Sequence, residues 1–173
     1  MLEEKVDVRT KELQVEKKKS EDLLLNILPY EVAEELKEHG SSRAKKYKEV
    51  TVLFTDFKGF TRIASETEPE ELVSEIDYCF RGFDQIVTKY KLEKIKTIGD
   101  AYLCVGGIEH AVNSQAKEVV LAALEIQEFM DRRKADRGNA GEFFFEIRLG
   151  LHTGPIVAGI VGLKKFAFDI WGD

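Results

Sequence analysis

Two strand-like runs each end in an aspartate, and that pairing constrains the chain more than any other feature. Val50-Thr51-Val52-Leu53-Phe54-Thr55 is short, apolar and rich in β-branched and aromatic residues, as a buried strand requires, and it runs straight into Asp56. A second run, Glu93 to Ile98, meets Gly99-Asp100 and resumes as Ala101 to Val105. Glycine at the first position of a two-residue loop suits a type II′ hairpin. If that hairpin lies beside the first strand, Asp56 and Asp100 meet at one end of the sheet. Converging carboxylates repel and raise each other's pKa. A divalent cation removes the conflict, because magnesium takes hard oxygen ligands, typically one or two carboxylates plus substrate phosphates. Taken singly, Asp56 also reads as a helix cap and Asp100 as a turn residue. A glycine-containing turn after one and a lysine-bearing strand before the other favour a site.

The turn after Asp56 adds to this. In Lys58-Gly59-Phe60-Thr61, Gly59 lets the backbone approach a ligand, and a helix toward Ser65 presents free amides at its start. Thr67-Glu68-Pro69-Glu70 fits a capping box with an early proline, opening a helix to about Tyr90. Its stripe of Leu72, Ile76, Phe80, Phe83 and Val87 is spaced for a core face. Ala111 to Arg137 predicts another long helix, with Val119, Ala122, Ala123, Ile126 and Met130 inward and Arg132-Arg133-Lys134 suiting the dipole of its last turns. Phe143 to His152 predicts a strand that turns at Gly154-Pro155 into Ile156 to Val161, and Phe166 to Trp171 a last extended piece. The order βααββαββ implies an α+β fold, a mainly antiparallel sheet with helices on one face.

Upstream, the chain lacks Gly and Pro before Pro29 and is rich in Glu, Lys and Leu, which predicts helix from Met1 to about Glu38 with a break or kink after Leu28. Leu2, Val6, Leu13, Leu23 and Ile27 follow an alternating four-three spacing, with Arg9, Glu16 and Ser20 at the other seam positions. That is an imperfect heptad, a weak parallel coiled coil or a solvated single helix. Tyr30 to Glu38 forms a short amphipathic helix on Val32, Ala33 and Leu36; Gly40-Ser41-Ser42 breaks it, and basic Arg43 to Lys48 reads as a connector. The expected division is 1–46, coiled-coil helix and linker, and 47–173, globular domain.

Charge excludes one class of partner. Residues 1–48 hold 11 Lys/Arg and 11 Asp/Glu, the remainder 15 against 21, so the globular part carries the whole net charge of −6. Nucleic-acid backbones need clustered basic residues, so no nucleic-acid partner is expected. Cys79 and Cys104 read as buried thiols of a reducing cytoplasm, and His39, His110 and His152 are too scattered for zinc. No apolar run is long enough to cross a bilayer and no signal-peptide pattern opens the chain. Gly159-Ile160-Val161-Gly162-Leu163-Lys164 lacks the P-loop frame, and no G-x-G-x-x-G is present.

V-L-F-T-D-F-K-G-F-T, E-K-I-K-T-I-G-D-A-Y, H-T-G-P-I-V-A-G-I-V-G and F-D-I-W-G-D resemble, in order, segments of the class III nucleotidyl cyclase catalytic domain. L-L-L-N-I-L-P-Y-E-V-A-E-E-L resembles the linker that joins a signalling coiled coil to it. The resemblance covers roughly Leu23 to Asp173. It implies a ferredoxin-like core and conversion of ATP to 3′,5′-cyclic AMP and pyrophosphate with two divalent cations, Mg2+ or Mn2+. It implies that Asp56, Asp100 and the Phe57 carbonyl hold the cations and that Lys58, Gly59, Phe60 and Thr61 bind the β- and γ-phosphates. Base choice falls to Lys96 and Asp169, a pair that implies adenine; guanylate cyclases typically carry Glu and Cys or another small residue there. Alone, Lys96 reads as a solvated strand lysine and Asp169 as a turn acid. The resemblance further implies a head-to-tail homodimer with shared sites and an upstream sensor, in a cytoplasmic protein or the cytosolic part of a membrane-bound parent. Family members continue past the position of Asp173 into a helix with an Asn and an Arg, and later a Lys. None of the three is in this stretch, so the 173-residue polypeptide is expected to show little or no cyclase activity. A guanylate cyclase and a non-catalytic dimerisation or regulatory module of the same fold are the alternatives. A cyclic-dinucleotide cyclase fits poorly, since its G-G-[DE]-E-F turn is replaced by I-G-D-A-Y.

Overall fold

The computed structural model describes residues 2–108, 114–162 and 166–172, with side chains from Val6 onward. The Leu2 side chain, His110, the expected helix start at 111–113, Leu163-Lys164 and Asp173 lie outside the described residues.

The elements are α1 (Leu2–Leu25), α2 (Tyr30–His39), β1 (Lys45–Phe57), α3 (Phe60–Glu66), α4 (Pro69–Lys89), β2 (Glu93–Ile98), β3 (Ala101–Gly106), α5 (Ala116–Asn139), β4 (Ile147–Val161) and β5 (Ala167–Trp171). From β1 onward this is the expected βααββαββ order. The five strands form one sheet, β2-β3-β1-β4-β5, in which β3 pairs antiparallel with both β1 and β2. The chain divides into two compact units, Met1–Lys45 with Ala158–Asp169, and Lys46–Val157 with Ile170–Asp173.

In the first unit, α1 ends at Leu25, three residues earlier than expected, in turns closed by Asn26 N–H to the Asp22 carbonyl and Leu28 N–H to the Leu24 carbonyl. The residue before a proline is biased away from helix, and here the break spreads back over the preceding turn. Val6, Leu13, Leu23 and Ile27 of the expected seam are exposed. Helix α2 buries Ala33 and is closed by Gly40 in a left-handed cap at φ 69°, at the break expected over Gly40-Ser41-Ser42.

In the second unit, residues alternate along β1. Leu53, Thr55 and Phe57 are buried against α4 and α5, while Val52, Phe54 and Asp56 point to the opposite, distal face. The core joins Leu53, Phe57, Tyr102 and Cys104 of the sheet to Cys79, Phe83 and Ile86 of α4 and to Val119, Ala122, Ile126 and Met130 of α5. Phe57 stacks on Phe145 at 4.3 Å between centroids, so the backbone at the end of β1 is anchored from behind. Both cysteines are buried free thiols, and burial pushes each up to about 12.

Four expectations are corrected. The basic segment from Lys45 is not a connector but the start of β1, because Tyr47 and Val50 are buried there and fix its register. No turn occurs at Gly154-Pro155; β4 runs through as one 15-residue strand, and Gly154 does not adopt a positive φ. The expected strand from Phe143 begins only at Ile147. The cap of α4 is Glu68 rather than Thr67, with Pro69 at the first helical position and no side-chain cap bond.

Thr55 is fully buried, and its Oγ1 has no hydrogen-bond partner among the described residues. A stranded buried hydroxyl costs about 1–3 kcal/mol, so Thr55→Val is expected to raise stability by about 1 kcal/mol in urea unfolding. A loss of that size would show that the hydroxyl is bonded.

Candidate functional site

Gly99 adopts φ 60° and Asp100 does not share the positive φ, as a type II′ turn demands. The hairpin lies beside β1, with Phe54 opposite Leu103 and Thr55 opposite Tyr102. The turn is thereby carried to the end of β1, where the Asp100 Oδ2 accepts the Phe57 N–H at 3.3 Å. Asp56 and Asp100, 44 positions apart in the chain, come together around the Phe57 peptide.

A residue the sequence reading passed over completes this arrangement. Arg148, on the neighbouring strand β4, grips Asp56 with a two-pronged fork, Nε to Oδ1 at 2.7 Å and Nη2 to Oδ2 at 2.6 Å. The Asp56 hydrogen bond and charge hold the Arg148 guanidinium above its ordinary pKa, and the Asp100 charge adds to this. The signal was a lone arginine among the apolar residues of I-R-L-G-L-H. Arg148 is 65% exposed and Asp56 34%, so the pair is well solvated and adds little to stability. An open cleft of about 490 Å3 borders the pair on the distal face, lined by Val52, Phe54, Asp56, Arg148, Leu151 and His152.

The turn after Asp56 is built on Gly59, at φ 71° before α3. Lys58 is already engaged: its N–H donates to the Glu146 carbonyl at 2.7 Å and its Nζ reaches the Glu146 carboxylate at 3.3 Å. Glu146 also binds Lys134 at 2.6 Å, and these two lysines, Lys134 foremost, hold its carboxyl below the ordinary range. Gly59, Phe60 and Thr61 are left to present the helix start; Gly59 and Thr61 are exposed, and Phe60 packs on Phe145.

A β-bulge between Lys94 and Lys96 sends these two lysines, two positions apart, to opposite faces. Lys94, opposite Cys104, is tied to Asp84 of α4 at 2.7 Å and lies over the Tyr102 ring. Lys96, opposite Leu103, belongs to the distal face with Phe54 and Asp56, and is half-buried. Asp169 is half-buried on β5, in the other compact unit.

Arg133 is not the solvated helix-end charge expected of it. It donates to the buried Glu75 of α4, Nε to Oε1 at 2.9 Å and Nη2 to Oε2 at 2.6 Å, and stacks over Tyr78. Among the described residues no group of three or more His, Cys, Asp and Glu comes together, and no helix is long and apolar enough to cross a membrane.

The model of the adenylate and guanylate cyclase catalytic domain matches residues 42–173. An adenylate cyclase of Mycobacterium tuberculosis is 41% identical over 162 residues, 93% of this chain and 36% of that protein. The guanylate cyclase soluble subunit alpha-1 of Rattus norvegicus is 36% identical over 161 residues, 93% of this chain and 23% of that protein. The chain thus spans about a third or less of the length of these relatives. The catalytic core of a rhodopsin-guanylyl cyclase with converted specificity, solved in complex with ATPalphaS, aligns at a TM-score of 0.69 and 36% identity, covering 76% of this chain and 70% of that one.

Proposed function

The chain belongs to the adenylate and guanylate cyclase catalytic domain family, and on that premise we propose that it is the catalytic segment of an adenylate cyclase, forming 3′,5′-cyclic AMP and pyrophosphate from ATP. The observation that carries the proposal is the Asp100 carboxylate bonded to the Phe57 amide, which gathers two acids from distant parts of the chain at one solvent-facing corner.

The donor set fits a hard divalent cation. It comprises two carboxylates, both within reach of solvent, and the Phe57 carbonyl, and among the described residues no group of three or more His, Cys, Asp and Glu gathers as a zinc site would require. A positive group already stands against Asp56, in the form of the Arg148 guanidinium. Asp56, Asp100 and the Phe57 carbonyl are the residues that would hold Mg2+ or Mn2+. Such cations lower the pKa of the attacking ribose 3′-hydroxyl and steady the leaving pyrophosphate. The chain's own work is positioning: the stacked aromatic core behind Phe57 fixes the acids, and the turn from Gly59 to Thr61 offers helix-start amides to the β- and γ-phosphates.

Adenine is the base we assign, on the identities of Lys96 and Asp169: an ammonium donates to the ring and a carboxylate accepts from the exocyclic amine. Overall similarity does not carry this point, because relatives of both specificities match at comparable identity. The bulge supports it by leaving Lys96, and not Lys94, on the face that bears Asp56. An apolar side chain left exposed on that face, Phe54 at 43%, supports a second copy covering it in a homodimer. The exposed apolar side chains of α1 support a parallel coiled coil that relays an upstream signal, with residues 1–46 as linker and 47–173 as the catalytic domain.

The test is cyclic nucleotide formation by the natural full-length chain with ATP and GTP. ATP is expected to be preferred, and Lys96→Glu combined with Asp169→Cys is expected to reverse the preference by about 10²-fold or more, since a misread base leaves buried polar groups unpaired. A native preference for GTP would refute the assignment of adenine.

A further inference from the structure

Both carboxylate oxygens of Asp56 are engaged. Arg148 takes both, and the nearby Asp100 gives one of its own oxygens to the Phe57 amide. A cation arriving alone competes with a bidentate fork for the charge of Asp56. It would lie beside the guanidinium, a like-charge contact. A triphosphate changes that balance, because its oxygens offer the guanidinium a second anionic partner of matching geometry. The exchange needs little rearrangement, since Arg148 is 65% exposed and borders the open cleft.

We propose that Arg148 is an internal counter-ion that occupies Asp56 until a triphosphate arrives, so that free divalent cations bind the site weakly and cation and nucleotide load together. The proposal rests on the reading of Asp56 and Asp100 as cation ligands. The latch keeps two acids at a solvent-exposed corner without mutual repulsion in the resting state. It also makes the site insensitive to ambient cation, so that loading follows the nucleotide.

The experiment titrates the nucleotide-free chain with Mn2+ and reads free Mn2+ by electron paramagnetic resonance. Wild type, Arg148→Gln, Arg148→Lys, Asp56→Asn and the Asp56→Asn/Arg148→Gln pair are compared, with circular dichroism as the check on folding. Arg148→Gln is expected to tighten Mn2+ binding by about fivefold, the scale of one exposed ion pair. The gain is expected to vanish in the double variant, and Arg148→Lys to fall between, because it keeps the charge and loses the fork. If Arg148→Gln binds Mn2+ no more tightly than wild type while Asp56→Asn still weakens binding, the latch is overturned and the cation site stands. If Asp56→Asn leaves Mn2+ affinity unchanged, the cation-site reading fails and takes the latch with it.

Discussion

Asp56→Asn and Asp100→Asn, each made in the natural full-length chain, are expected to lower cyclic nucleotide formation by at least about 10²-fold, with far smaller effects on stability. The magnitude follows from what is lost: an electrostatic contact aimed at charge developing in the transition state is commonly worth about 10²–10³ in rate. The two variants differ in a way the structure specifies. Asn at 56 removes the partner of Arg148 and leaves the guanidinium beside Asp100, whose charge already bears on it. Asn at 100 keeps an oxygen that can accept the Phe57 N–H at the 3.3 Å position, so the turn should hold while its charge is gone. Asp100→Asn is therefore the cleaner variant. If either change cost less than about fivefold in rate, that residue would stand outside the chemistry.

Glu75→Ala is expected to destabilise the fold by about 3–5 kcal/mol, the largest effect of any single change proposed for this chain. The Glu75 side chain is 3% exposed and receives Arg133 at 2.6 Å and Arg137 at 3.2 Å, while Arg137 itself is 10% exposed. Removing the acid would strand two guanidinium groups between α4 and α5. Arg137 would keep Glu71, Glu142 and the Phe143 carbonyl, which limits the damage on that side. The matched control is Asp77→Ala, whose Arg81 partner is 76% exposed, with an expected cost of about 0.5 kcal/mol or less. Urea unfolding measures both, and similar costs for the two would show that the buried network has no special weight.

The sequence disclosed the elements that obey local rules. Gly99-Asp100 is a hairpin because only a glycine-type first residue fits the turn, and the structure shows a positive φ there. The inward faces of α4 and α5 followed from helical spacing, and Phe83, Val87, Val119, Ala122 and Ile126 are buried as that spacing requires. What the sequence hid depends on neighbours distant in the chain. Gly154-Pro155 reads as a turn wherever strand pairing does not override it, and in β4 pairing does. Arg43 to Lys48 looks like a connector until Tyr47 and Val50 find the core. Arg133 read as a helix-end charge and Arg148 went unmarked, since the partners that define them, Glu75 and Asp56, lie 58 and 92 positions away. Local chemistry thus marked the two acids, but not the arginine bonded to one of them.

The most direct test of the central claim is a crystal structure of the chain with Mn2+ and a non-hydrolysable ATP analogue, recorded at the manganese absorption edge. The account predicts an anomalous peak bonded to carboxylate oxygens of both Asp56 and Asp100 at about 2.0–2.3 Å, the usual range for a small hard cation, with Arg148 turned from Asp56 toward the triphosphate. Manganese bound elsewhere, with the Arg148 fork still closed on Asp56, would contradict it.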